Sequence, residues 1–192
     1  MTTHRPRRKL LKIAGMAAGA TAGLAILPFA GQMLVHRKTT ENGEIVDVNL
    51  TKLPAGQLLT VDWMGQPVWI LHRTPEMIAT LAKPALLVDP ESERSRQPAY
   101  AKNPQRALKP EYFVALALCP HLGCTPSARF KPGANEGMPA EWPGGFLCPC
   151  HTSTFDFAGR AHANREAKTN LSVPPHRFVD GTLRIGEDPP AI

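Results

Sequence analysis

The segments C-P-H-L-G-C at residues 119–124 and C-P-C-H-T-S at residues 148–153 decide how this chain folds. Together they contain all four cysteines of the 192-residue sequence. Each segment begins with a cysteine, carries a histidine two or three residues later and supplies one further cysteine. The pattern predicts two matched loops that face each other across a shared site.

One cysteine and one histidine from each loop can hold a metal centre in two ways. The four side chains offer the Cys2His2 set of a tetrahedral structural zinc. They can instead surround an iron pair asymmetrically, with two sulfurs on one iron and two nitrogens on the other. The zinc alternative gives Cys124 and Cys150 no role as ligands.

The spacing C-x-H-x2-C followed by C-x-C-H-x-S resembles the Rieske iron–sulfur family. In that family the first cysteine and the histidine of each segment bind one [2Fe–2S] cluster, and the two remaining cysteines form a disulfide. The resemblance implies a Cys124–Cys150 disulfide here. It also implies that the cluster ligands are Cys119, His121, Cys148 and His151.

Three longer segments are similar to the Rieske subunit of the bacterial ubiquinol–cytochrome c reductase (cytochrome bc) complex: residues 53–61, 67–77 and 142–151. The resemblance implies an electron-transfer subunit of a quinol-oxidising complex, a translocase. Its cluster would accept an electron from ubiquinol, with proton transfer through His121 and His151, and pass it to a c-type cytochrome. The implied partners are cytochrome b and c-type cytochrome subunits of a dimeric complex. The alternative is the small subunit of another periplasmic oxidase, similar to arsenite oxidase.

Positions near the ligands bear on the reduction potential. In the family, a serine two residues after the second histidine donates to a bridging sulfide, and Ser153 stands there. Two residues further on, many members have a tyrosine that donates to a cysteine ligand, whereas this chain has Phe155. The resemblance therefore implies a lower potential than in tyrosine-containing relatives. Leu122, next to His121, belongs to the same surroundings.

The chain also departs from the family pattern. Pro120 stands where threonine is usual, and Thr152 where glycine is usual. If the backbone at position 152 has a positive φ, a β-branched threonine is strained there. The proline-rich third loop of the family is replaced around residues 166–168.

The net charge of +6 is concentrated at the N-terminus. Residues 1–12 contain no acid, so the rest of the chain carries only about +1, which argues against a broad phosphate-binding face. The five basic residues of this segment are Arg5, Arg7, Arg8, Lys9 and Lys12. The sequence P-R-R-K-L-L-K resembles a twin-arginine export signal.

Residues 13–35 carry no formal charge and predict a transmembrane anchor, since a helix of that length reaches about 34 Å. A cleaved secretory signal is the alternative. The basic flank predicts a cytoplasmic N-terminus, and therefore a single-pass protein of the bacterial inner membrane with its C-terminal domain in the periplasm.

The remaining sequence predicts a mainly β fold. Polar residues 36–47 predict a linker or hinge, and residues 48–192 an antiparallel Rieske-type domain with a small inserted cluster-binding subdomain at about 115–160. The predicted elements are strands within 44–73 with a four-residue connection at 64–67, a helix beginning at Thr74, a surface loop over 89–110, a buried strand over 112–118, and a hairpin around Asp180–Gly181. Outside the two segments, the five other histidines are expected to have structural or solvent roles: His4, His36, His72, His162 and His176.

Overall fold

The computed structural model describes the backbone of residues 35–40 and all of residues 43–83 and 85–190. The chain divides into two compact units, 1–31 and 32–192, and every described residue belongs to the second. The basic segment and residues 13–34 of the expected anchor lie outside the described residues. Within the described part, no helix has both the length and the apolar character needed to cross a membrane.

Antiparallel strands dominate the described chain, so the predicted fold class is confirmed. An outer sheet has the order β1-β2-β10-β9, a central sheet the order β3-β4-β5, and a small sheet the order β6-β7-β8. The elements are β1 Val35–Thr40, β2 Gly43–Asn49, β3 Leu58–Trp63, β4 Gln66–His72, α1 Pro75–Thr80, a 3-10 helix Ala99–Ala101, β5 Tyr112–Leu116, β6 Ser127–Arg129, β7 Gly145–Leu147, β8 Thr154–Phe155, β9 His176–Val179 and β10 Thr182–Ile185.

Strands β4 and β5 of the central sheet are buried on both faces, which explains their nearly continuous apolar sequences, whereas the edge strand β3 exposes Thr60 and Asp62. In β4, Val68 and Ile70 pack into the core shared with the outer sheet. The alternate residues, Trp69 and Leu71, pack into the core shared with the small sheet. The Trp69 ring stacks on Phe146 of β7 with 4.6 Å between ring centroids, which ties the small sheet to the central one.

Two hairpin turns are formed by pairs of residues with positive φ. The predicted turn at Asp180–Gly181 is present, with φ of 46° and 77°. The β3–β4 connection is shorter than the four residues expected, because Gln66 and Pro67 already belong to β4 and only Met64–Gly65 form the turn. Both turn residues again have positive φ, as two-residue hairpin turns require.

The segment expected to be a linker instead forms strands. β1 pairs with β2, so Val35, assigned to the anchor, and residues 36–40 and 43–47 of the expected linker belong to the outer sheet. Val46 and Val48 are fully buried and β2 also pairs with β10. This alternation of buried residues fixes the register, and the β domain begins before residue 48.

Of the other local predictions, the helix start is confirmed and the prediction for residues 89–110 is only partly right. Helix α1 begins as expected, because the Thr74 hydroxyl accepts a hydrogen bond from the Met77 amide and Pro75 occupies the first turn. Strand β6 was not predicted. The 89–110 segment lacks strands, but it is not confined to the surface, since Ser92 and Arg106 are buried.

Candidate metal centre

Two six-residue loops form the site, and each is closed by a backbone hydrogen bond between its first and last residues. The Cys119 amide donates to the Cys124 carbonyl at 2.7 Å, and the Cys148 amide donates to the Ser153 carbonyl at 2.8 Å. The first loop follows β5 and the second follows β7 directly. The two segments singled out in the sequence are therefore matched loops, each presented by a buried strand.

The predicted ligands are arranged with sulfur inside and imidazole outside. The Cys119 and Cys148 residues are 3% and 1% exposed, whereas His121 is half-buried and His151 is exposed. The two imidazole rings lie edge to face with centroids 4.7 Å apart. A centre held by these four side chains would have its cysteine side in the core and its histidine side at the surface.

Cys124 and Cys150 form a disulfide, as the resemblance implied. It joins the two loops across a sequence separation of 26 residues. The sulfurs of Cys124, Cys148 and Cys150 lie within 4.8 Å of one another, so the disulfide adjoins the expected ligand Cys148. In the described residues, no three of the four expected ligands have their donor atoms gathered that closely.

The thiol of Cys119 is in an environment that disfavours ionisation. Burial, with a smaller contribution from the neighbouring Cys148 side chain, raises the pKa of Cys119 to about 11. Metal binding requires the thiolate, so loading of the site must release this proton.

Ser153 is hydrogen-bonded to the third loop. It is fully buried, and its Oγ accepts a hydrogen bond from the Ala167 amide at 3.0 Å. Because that bond uses an oxygen lone pair, the hydroxyl hydrogen remains available for donation. The role of Ala167 was not predicted, although it lies in the segment where the family pattern is lost.

Phe155 lies at the end of β8, fully buried and opposite Phe146 of β7. Its ring belongs to the core beneath the loops and carries no donor. The tyrosine hydroxyl that is absent at this position would therefore lie in the core that also contains Cys148.

Thr152, which stands where the family usually has glycine, lies at the outer rim of the site with Arg165 and Leu122. Thr152 has a φ of 54°, so the condition for strain is met. The Arg165 guanidinium donates to Thr152 Oγ1 at 3.4 Å. Leu122 is 69% exposed beside His121, which gives the rim an apolar residue.

Two of the remaining histidines have buried contacts away from the ligand loops. His162 Nδ1 is 3.1 Å from Thr154 Oγ1, and burial lowers the pKa of this histidine. His176 is fully buried, and its Nδ1 is 2.9 Å from the Pro174 carbonyl. Sequence reasoning missed a cluster of buried arginines behind β8, formed by Arg73, Arg106 and Arg160. No local pattern marks that cluster, because its members come together only in the tertiary fold.

The comparisons with known proteins agree with this geometry. The family model for the Rieske [2Fe-2S] domain matches residues 43–175, which include both loops, every strand of the central and small sheets, and β2 of the outer sheet. The chain belongs to the Rieske [2Fe-2S] family. The buried cysteine pair and the outward histidine pair fit the Rieske-type [2Fe–2S] cluster that this family carries, which replaces the zinc alternative.

Two curated Rieske relatives match almost the full chain. The ubiquinol–cytochrome c reductase iron–sulfur subunit of Allochromatium vinosum is 45% identical, covering 96% of this chain and 90% of the relative. The subunit of the same name from Blastochloris viridis is 36% identical, covering 96% and 95%. Among solved structures, a chain of a hyperthermophilic respiratory Complex III has a TM-score of 0.44 at 15% identity, covering 71% of both chains.

Proposed function

We propose that this Rieske protein is the electron-transfer subunit of a membrane-bound ubiquinol–cytochrome c reductase. The observation that carries the proposal is the paired histidines at the surface above paired buried cysteines. The relatives named as subunits of that enzyme support it, since they align over nearly the whole chain.

The proposed ligands are Cys119 and Cys148 on the inner iron and His121 and His151 on the outer one. When bound, the cluster supplies a one-electron acceptor. The disulfide and the two closed loops would hold the donor side chains in place, and Cys119 and Cys148 are buried.

The histidines add proton transfer to electron transfer. Each ligating imidazole has a second ring nitrogen, and at the surface that nitrogen is accessible to a substrate hydroxyl. With its proton removed, the outer nitrogen of His121 or His151 accepts a hydrogen bond from ubiquinol and then takes the proton as the electron leaves. A thiolate ligand has no second titratable atom, which is why this side of the site needs imidazole. Exposed Leu122 would line the same contact with the apolar quinol.

The proposed partners are cytochrome b and c-type cytochrome subunits in a dimeric, translocating complex. Residues 13–34, with the basic segment before them, would anchor the chain in the bacterial inner membrane, with the β domain in the periplasm. Export in a folded state through a twin-arginine route suits a domain that receives its cluster before crossing the membrane.

Membranes that contain the full chain provide the test. Ubiquinol should reduce the c-type cytochrome with wild-type chain, and Cys148→Ser should abolish this because a cysteine ligand is lost. Cytochrome reduction that continues unchanged with Cys148→Ser in the membrane would refute the proposal. Cluster reduction by arsenite but not by ubiquinol would instead favour the other periplasmic oxidase.

A further inference from the structure

The Ser153 hydroxyl is a buried polar group whose hydrogen has no partner in the protein. Ser153 is fully buried at the end of the second ligand loop, where its carbonyl accepts from the Cys148 amide at 2.8 Å. Its Oγ accepts a hydrogen bond from the Ala167 amide at 3.0 Å. Within residues 43–83 and 85–190, no protein group accepts the hydroxyl hydrogen. A buried donor without an acceptor is costly, so this hydrogen fits an acceptor on the cluster that the family carries.

The Ala167 amide restricts the orientation of that hydroxyl. A serine hydroxyl has one hydrogen and two lone pairs, and it rotates to suit its neighbours. Because the Ala167 N–H points at the oxygen, the hydroxyl hydrogen cannot point back at the amide. The hydrogen is left for a different acceptor, while the oxygen already has a donor.

Ala167 is buried, although its neighbours in the chain are not. It is fully buried between exposed Glu166 and exposed Lys168. It also packs in the same core as Cys119 and Cys148. Of the three residues in which the third loop departs from the family pattern, Ala167 is therefore the one turned into the core of the ligand cysteines, and it supplies the main-chain donor.

Asn170 holds the chain on the C-terminal side of Ala167. Asn170 is 1% exposed, and its amide donates to Ser95 Oγ at 2.8 Å. Its Nδ2 donates to the Asp89 carbonyl at 2.8 Å, and its Oδ1 accepts from the Ala161 amide at 2.9 Å. These bonds join the two ends of the 161–170 segment to each other and to the 89–95 segment.

The N-terminal side of the same segment is held as well. The Ala163 amide donates to the Leu86 carbonyl at 2.7 Å, and the His162 amide donates to the Thr154 carbonyl at 3.0 Å. Because Thr154 follows Ser153 directly, the segment is tied to the chain beside that serine. The Ala167 amide is thus presented from a segment that is anchored on both sides.

We propose that Ala167 is a positioning residue for the cluster: its main-chain amide fixes the Ser153 hydroxyl so that the hydrogen is donated to the cluster, and Asn170 fixes the segment that presents this amide. Such a hydrogen bond stabilises the more negative, reduced cluster and raises its reduction potential. Reduction adds one electron, supplied by whatever donor reduces the cluster, and no covalent bond is made or broken. The inference rests on the cluster that the family carries and on its proposed place between the two loops, and it does not depend on quinol as the donor.

A double-mutant cycle at positions 153 and 167 separates positioning from a general structural role. Ser153→Ala should lower the equilibrium constant for reduction about fivefold, or roughly 40 mV for one electron, because one hydrogen bond is lost. Ala167→Pro removes the amide hydrogen at a position that is not among those with positive φ, and it should lower the midpoint by at least half as much. In the Ser153→Ala background, Ala167→Pro should have no further effect, since no hydroxyl remains to be positioned.

The measurement is a dithionite titration of membranes containing the full chain, followed by the electron paramagnetic resonance signal of the reduced cluster. Ala167→Gly is one control, because it keeps the amide. Thr169→Pro is the matched control, because it places a proline in the same segment at a residue whose amide makes no hydrogen bond within the described chain. Both controls should keep the wild-type midpoint.

Asn170→Ala repeats the cycle if Ala167→Pro does not load its cluster, since it loosens the segment without removing the Ala167 amide. It should lower the midpoint when Ser153 is present and leave it unchanged in the Ser153→Ala background. A midpoint that Ser153→Ala or Ala167→Pro leaves unchanged, or a shift from Ala167→Pro that is equally large without the serine hydroxyl, would overturn the proposal. Because no quinol is used, that failure would leave the proposed function untouched.

Discussion

Position 155 shows how a single core residue can set a property of the cluster. Phe155 is fully buried beneath the ligand loops and offers no hydrogen bond, whereas a tyrosine there donates to a cysteine ligand in many Rieske proteins. A hydrogen bond to sulfur stabilises the reduced, more negative cluster. The missing donor at this residue is expected to lower the potential.

We predict that Phe155→Tyr raises the midpoint potential by roughly 40–60 mV, since one hydrogen bond contributes about 1 kcal/mol and 59 mV is tenfold for one electron. Redox titration of the full-length protein measures it. Phe157→Tyr is the control, because it adds the same hydroxyl to another buried phenylalanine. A midpoint that does not rise in Phe155→Tyr, or rises equally in both variants, would contradict the explanation.

Thr152 combines a β-branched side chain with a φ of 54° next to His151. Such a residue is strained by about 1–3 kcal/mol unless other contacts compensate. Among the described residues, the hydrogen bond that the Thr152 side chain makes comes from Arg165 and is long at 3.4 Å. We predict that Thr152→Gly increases the free energy of unfolding by about 1 kcal/mol, measured by denaturant titration of the cluster-loaded protein. Thr152→Asn should give part of the gain, because asparagine tolerates this conformation. A loss of stability in both variants would show that the threonine contacts outweigh the strain.

His176 makes stability depend on pH. Burial lowers its pKa, so the folded state binds this proton more weakly than the unfolded state, whose value is near 6.5. Stability is therefore retained above about pH 6.5 and falls as the pH drops from there toward the folded value. We predict that His176→Gln loses less stability than wild type between pH 7.5 and pH 5, measured as the shift in thermal midpoint. An equally steep loss in the variant would assign the effect to other groups, with His162 the next to test.

At the scale of elements, the small sheet positions the second loop. β7 and β8 approach so closely that a Cβ on Gly145 would lie 2.1 Å from the Phe155 carbonyl oxygen. Gly145 also has a φ of 146°. The sheet therefore accepts only glycine at this point, three residues before Cys148.

We predict that Gly145→Ala lowers the free energy of unfolding by several kcal/mol and reduces the fraction of chain that retains its cluster. Denaturant unfolding and the iron content of the purified protein measure the two effects. Gly137→Ala is the matched control, since its φ of 82° is also positive but its added methyl group would meet nothing within 4 Å. Equal losses in the two variants would attribute the effect to backbone strain alone.

Sequence reasoning was most successful where the signal is local. The two loops and the Asp180–Gly181 turn depend on residues close together in the sequence, and all are present. The Cys124–Cys150 disulfide, which the family resemblance implied, is present as well. The β1–β2 pairing was missed because the polar residues of 36–47 gave no apolar pattern over most of their length. The arginine cluster was missed for a different reason: Arg73, Arg106 and Asp156 are far apart in sequence, and nothing in their local sequence shows that they are buried.

At the scale of the whole molecule, three sheets enclose two apolar cores, and the ligand cysteines belong to the core between the central and small sheets. The central sheet packs against the outer sheet on one face and against the small, loop-bearing sheet on the other. These cysteines are buried, while His151 and Leu122 are exposed. This arrangement leaves the imidazole side available to a partner.

We propose that His121 and His151 bind a Rieske cluster at a quinol pocket. The direct measurement is a low-temperature electron paramagnetic resonance spectrum of dithionite-reduced membranes containing the full chain, with and without a quinol-site inhibitor. We predict a reduced Rieske signal whose shape changes when the inhibitor binds. A Rieske signal whose shape is unchanged by the inhibitor would contradict the quinol assignment. The absence of a Rieske signal from intact, membrane-bound chain would contradict the presence of the cluster itself.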